Sequence, residues 1–134
     1  MKHHFMSVRL SPRSTCFGPP SALAVVLVAC TVETPPLTPP APATLAAIRN
    51  LAPHPCDATT ASVLDALGVP PAAVRSIYYD RRVSGSEHAH LQGYDAWVRL
   101  ADQTGELVIR HDAGCRFIAS LTRGAVRLGP GRPS

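Results

Sequence analysis

The chain has 134 residues, 46% of them hydrophobic and 5% aromatic, with a formal charge of +4. That length holds one domain. The charge does not argue for nucleic acid: Lys2, Arg9 and Arg13 crowd a leading stretch without acids, and beyond it ten basic residues face nine acidic ones.

Residues 1–29 read as a targeting segment. The basic n-region precedes an apolar run, Ser21 to Ala29, bounded by Pro19 and Pro20. At about nine residues this run is too short to span a bilayer, which needs about 20, but it suits a signal peptide. Leu27-Val28-Ala29-Cys30 closes it. These four residues resemble the lipobox of bacterial lipoproteins: aliphatic, branched, small, then Cys. The resemblance covers residues 1 to about 31. It implies that the Cys30 thiol receives a diacylglyceryl group, that the Ala29–Cys30 bond is cut, and that the new amino terminus is acylated. Two or more acyl chains anchor stably where one anchors only marginally. Position 31 is Thr, not Asp. In enterobacteria-like systems that absence leans toward the outer membrane, so the expected location is a lipid anchor on its periplasmic face. An ordinary cleaved secretory signal is the competing reading.

Residues 30–44 form the lipidated Cys and a tether. Thr31 to Thr44 holds five prolines, which favour extended polyproline II over a packed core. The expected reach is roughly 40 Å at about 3.1 Å per residue.

Residues 45–128 remain for a small domain, with 129–134 as a flexible tail. Leu45 to Leu51 has helical apolar spacing. Asp57 is placed as N-cap of a second helix, Ala58 to Leu67, with Gly68 at its C-terminal cap and Pro71-Ala-Ala-Val opening one further turn. From Ser76 the period changes to two. Ile77 and Tyr79 alternate with Tyr78 and Asp80; Tyr94, Ala96, Val98 and Leu100 alternate with Asp95, Trp97 and Arg99. Two turns, Asp102 to Gly105 and Asp112 to Gly114, separate strands at Leu107–His111 and Cys115–Leu121; Gly105 is expected in a left-handed position. Close hairpins demand an antiparallel meander. The predicted fold is α+β, with one or two short N-terminal helices packed on a three- to four-stranded antiparallel sheet. That order resembles small envelope modules such as PepSY-type domains and the helix–helix–three-strand lipoproteins of outer-membrane barrel assembly, as a fold-level analogy alone.

Of four cysteines, Cys16 leaves with the signal and Cys30 is lipidated. Cys56 and Cys115 then form one pair in an oxidising compartment. A reactive thiol at Cys56 beside His54 is the alternative. His88 and His90, joined by His111, are weak candidates for a Zn²⁺ or Cu²⁺ site, since two histidines at i, i+2 of an extended segment share a face; solvated loop histidines are the plainer reading. Ser84, Ser86 and His88 lack a G-x-S-x-G context, so no catalytic residues are assigned. No cofactor motif is present.

Trp97, Arg99 and Arg110 are the candidate binding face, an aromatic among arginines on the side opposite Tyr94, Ala96 and Val98. Arg116 is expected nearby. A Trp packed under arginine stems is the plain alternative. The expected function is a membrane-anchored envelope lipoprotein whose domain is a binding or assembly module. Its partners are the lipid bilayer, through acylated Cys30, and an envelope protein, with no nucleic acid. A periplasmic metal-binding protein using His88, His90 and His111 is the alternative.

Overall fold

The computed structural model describes residues 14–15 and 29–128. Most of the targeting run and the tail 129–134 lie outside the described residues. Two short segments come first, β1 (Ser14–Thr15) and β2 (Ala29–Val32). Helices α1 (Pro42–Leu51) and α2 (Asp57–Ala66) follow, then a 3₁₀ turn at Pro71–Ala73. Four longer strands complete the chain: β3 (Val74–Ser84), β4 (His90–Leu100), β5 (Glu106–Asp112) and β6 (Phe117–Arg123). The sheet order is β1-β2-β6-β5-β4-β3, with every neighbouring pair antiparallel.

The class is α+β, as expected, but the sheet is larger than three or four strands and the helices are not N-terminal to it. The extra strand comes from the tether. Val32 is buried in the core, pairs with Ser120 across β6, and Thr34 Oγ1 donates to Ser120 Oγ at 3.2 Å. A valine that reaches the core outweighs the unpacked polyproline II expected of a proline-rich context. The start of the tether is therefore fixed to the sheet, and no free spacer of roughly 40 Å runs from residue 31.

Helix α1 consumes the other end. It begins at Pro42 rather than Leu45, with proline in the first turn, where a missing N–H costs nothing. Asp65, across on α2, accepts the Ala41 N–H at 2.7 Å and the Thr44 hydroxyl at 2.6 Å. A carboxylate at a helix N-terminus satisfies orphan donors and meets the positive end of the dipole.

Helix α2 starts on Asp57 itself, not after it. The Asp57 carboxylate turns back to accept the His54 N–H at 2.8 Å. At the other end Gly68 has φ +71, the Gly68 N–H donates to the Asp65 carbonyl and the Val69 N–H to the Leu64 carbonyl. That is a Schellman cap, in the place the sequence indicated.

The sheet is built by alternation. Ile77, Ala96, Val98, Leu100, Leu107 and Ile109 face the helices and form one core with Ile48, Ala61, Leu64 and Leu67. In the β4–β5 turn the left-handed residue is Asp102, with φ 60, not Gly105. Gly105 serves close approach instead: a Cβ there would lie 2.6 Å from the Arg123 carbonyl oxygen and 2.6 Å from Val126.

Cys56 and Cys115 are disulfide-bonded, 59 residues apart in sequence. The bridge ties the start of α2 to the β5–β6 turn. Cys115 sits in that turn with φ 63, and the final strand begins at Phe117 rather than at Cys115. Closing such a loop is worth roughly 4 kcal/mol on chain-entropy grounds.

Candidate functional site

Alternation along β4 sends Asp95, Trp97 and Arg99 away from the helices, to the outer face of the sheet. Register then aligns them with neighbours in cross-strand rows. Tyr78, Trp97, Val108 and Leu121 form one row across β3, β4, β5 and β6. Asp95 faces Arg110, and Arg99 faces Glu106, which faces Arg123.

Trp97 is the centre of this arrangement. Its ring lies parallel to Tyr78, with centroids 5.8 Å apart and planes 2° apart. The Arg123 guanidinium carbon stands 5.0 Å from the Trp97 ring centroid, a cation–π contact. The Trp97 indole N–H is buried and finds no acceptor among the described residues. Tyr78 is 52% exposed. Desolvation, then Glu106 and Asp80, hold its phenol above the ordinary value, so it stays a neutral donor at physiological pH.

The charges around Trp97 are unequally matched. Asp95 accepts from Arg82 Nε at 2.9 Å and from Arg110 Nε at 3.1 Å and Nη2 at 3.2 Å. One carboxylate thus faces two guanidinium groups. Arg82 also donates through Nη2 to the His111 carbonyl at 2.6 Å. It does so by crossing Gly93, where a Cβ would collide with that carbonyl and stand 2.6 Å from Arg82 Nη2. Arg99 pairs with Glu106 at 3.0 Å on the surface. Arg123 has no carboxylate within salt-bridge distance among the described residues.

A pocket of about 300 Å³ opens here, lined by Ala29, Asp95, Trp97, Val108, Arg110, Leu121 and Arg123. Trp97 and Arg110 therefore meet, as the sequence suggested. Arg99 shares the face but is absent from the pocket lining. Arg116 does not join; it is exposed and holds Asp112 at 2.7 Å. The Arg116 backbone and side chain hold the Asp112 carboxyl below its usual range. Val108 and Arg123 are the residues sequence reasoning missed, and only the strand register would have revealed them; Asp95 shares the Trp97 face by alternation alone.

The metal candidates are not assembled. His88 and His90 are exposed beside the β3–β4 turn. His111 is fully buried on the helix side, with Nε2 3.2 Å from Thr60 Oγ1 and Nδ1 3.3 Å from the Tyr94 carbonyl. No cluster of three or more His, Cys, Asp or Glu able to hold a metal occurs among the described residues.

His111 belongs instead to a buried polar chain. The Tyr79 hydroxyl donates to Asp57 Oδ1 at 2.8 Å and lies 3.0 Å from Thr60 Oγ1. His54 stacks on Tyr79, centroids 3.9 Å apart. A neutral His111, its proton on Nδ1 toward the Tyr94 carbonyl and Nε2 accepting from Thr60, satisfies every group. Burial pushes the His111 pKa down; the nearby His54 adds to this, while the hydrogen bond to the Tyr94 carbonyl, Asp95 and Asp112 oppose it. Desolvation likewise lowers His54, against Asp57. Burial raises the Tyr79 phenol far above its ordinary value. The Cys56 N–H donates to His54 Nδ1 at 3.1 Å, so His54 braces the disulfide rather than activating a free thiol.

The remaining candidate is Cys30. It pairs with Thr122 across β2 and β6, and in the intact chain its sulfur is disulfide-bonded. Cys30 is thus bonded in addition to the Cys56–Cys115 pair. A thioether and a disulfide compete for the same sulfur, so the expected lipidation of Cys30 would require that bond to be open.

No known protein family, curated protein or solved structure matches this chain.

Proposed function

We propose that the chain is a lipid-anchored envelope protein, acylated at Cys30 on the periplasmic side of the outer membrane, whose small domain is a binding module working through the outer face of its sheet. The observation that carries the binding half is the Trp97 pocket, where aromatic and aliphatic surface is ringed by arginines that outnumber their carboxylates. Recognition surfaces favour aromatic residues and arginine. The anchor half rests on Leu27-Val28-Ala29-Cys30 and the apolar run before it.

Mass spectrometry of the protein extracted from cell envelopes tests the anchor. The expected species begins at Cys30 and carries diacylglyceryl and acyl groups, with Cys56 and Cys115 lacking two protons. An unmodified Cys30, or an intact Ala29–Cys30 bond, rejects it.

A further inference from the structure

We infer that the occupant of the Trp97 pocket is the phosphate of an anionic lipid headgroup in the leaflet that holds Cys30, so that the domain lies with its outer sheet face on the membrane. This rests on the reading of that face as the binding face.

Two observations converge on it. The first is chemical. Arg123 has no carboxylate partner among the described residues, Arg110 shares Asp95 with Arg82, and the Trp97 indole N–H is a buried donor without an acceptor. Two guanidinium groups and an orphaned donor around one pocket call for anionic oxygens, and Arg matches phosphate geometry with paired N–H donors. The second is positional. Ala29, immediately before the acylated cysteine, is part of the pocket wall. Cutting the Ala29–Cys30 bond removes that wall and opens the pocket on its anchored edge. At that edge the new amino terminus, not the Cys30 side chain, meets the pocket, because Cys30 shares the helix-side face with Val32. An N-acyl chain there would bring the Trp97–Tyr78 pair to headgroup level, the depth such amphipathic rings prefer. Each arginine near an anionic leaflet adds attraction.

Trp97 is the chain's single tryptophan, so its fluorescence reports the site directly. The experiment uses the processed chain from residue 30 with Cys30→Ser, so that neither acyl groups nor the basic and apolar leading segment contributes. It is mixed with phosphatidylcholine vesicles, with vesicles containing about one-third phosphatidylglycerol, and separately with inorganic phosphate. The expected result is co-sedimentation and a Trp97 emission change with the anionic vesicles alone. Arg123→Gln should weaken it about tenfold. Arg49→Gln, on the exposed side of α1 in the helix layer, should change it less than about twofold. Trp97→Phe, followed by sedimentation, should weaken binding while thermal melting confirms its fold.

Equal losses from Arg123→Gln and Arg49→Gln would mean diffuse attraction and overturn the pocket. A saturable response to inorganic phosphate with none to vesicles would overturn the lipid source. A chain that ignores vesicles but co-purifies from detergent extract with a protein that Arg123→Gln loses would overturn it in favour of a protein partner. The anchor stands or falls separately: an acylated Cys30 without vesicle response defeats this inference alone, and vesicle binding with unmodified Cys30 defeats only the anchor.

Discussion

The two faces of one sheet handle polar groups in opposite ways. On the helix side, Tyr79, Thr60, Asp57 and His111 form a closed chain of hydrogen bonds in which each group has a partner. On the outer side, Trp97 leaves a buried N–H unmatched, and Arg123 leans on a ring instead of a carboxylate. A satisfied buried network fixes a structure. An unsatisfied one beside a pocket costs stability and leaves something for a ligand to complete. The difference separates what holds this fold from what it offers to a partner.

The largest effects should come from the helix side. Cys56→Ser with Cys115→Ser should cost roughly 4 kcal/mol. Leu64→Ala, fully buried among Ile48, Val98 and Leu107, should cost about 2–5 kcal/mol. For so small a domain either change leaves a large unfolded fraction, which thermal melting by circular dichroism would register. A melting point for Leu64→Ala within a few degrees of the parent would contradict this division of labour.

Gly93→Ala comes next, because it strikes the β5 backbone and the outer-face Arg82 at once. The new methyl meets the His111 carbonyl and the Arg82 guanidinium that crosses above it. Expected is a loss of about 1–3 kcal/mol in denaturant titration. An unchanged midpoint would show that the crossing is not needed.

Acid should weaken the helix side selectively. The folded pKa values of His111 and His54 lie below 6.5, so between those values and 6.5 the unfolded chain binds more protons. Their stabilising contribution is full above pH 6.5 and is lost as pH falls below it. Melting temperature should therefore drop from pH 7.5 to 5.5, and less steeply in His111→Gln. A flat or rising profile in the parent would place His111 in a solvated site.

The smallest stability effects belong to the outer face. Arg99→Ala removes an exposed ion pair with Glu106 and should change stability by less than about 1 kcal/mol. Trp97→Phe deletes the orphaned donor, so it should be about as stable as the parent or slightly more so, while binding less. A Trp97→Phe chain as unstable as Leu64→Ala would make Trp97 a second core.

Much of the helix-side architecture was legible because its signals are local. Period-two alternation marks β4 and Gly68 marks the end of α2; the Cys56–Cys115 bridge, 59 residues long in sequence, came from counting cysteines instead. What the sequence hid depends on distant partners. The start of α1 is set by Asp65, over twenty residues away. The tether becomes β2 because Val32 finds Ser120. His111 looked like a ligand beside His88 and His90 because nothing local shows that Thr60 will meet its ring. On the outer face, Trp97, Arg99 and Arg110 could be named from composition and alternation. Arg123 and Val108 could not, since their place beside Trp97 exists only through the pairing of β4 with β5 and of β5 with β6.

The most direct measurement is fluorescence of Trp97 in the full chain reconstituted into anionic bilayers whose lipids carry bromine at defined depths. Strong quenching from bromine near the headgroups is expected, reduced in Arg123→Gln. Trp97 emission unaffected by bromine at any depth, in a chain shown to be membrane-bound, would contradict it.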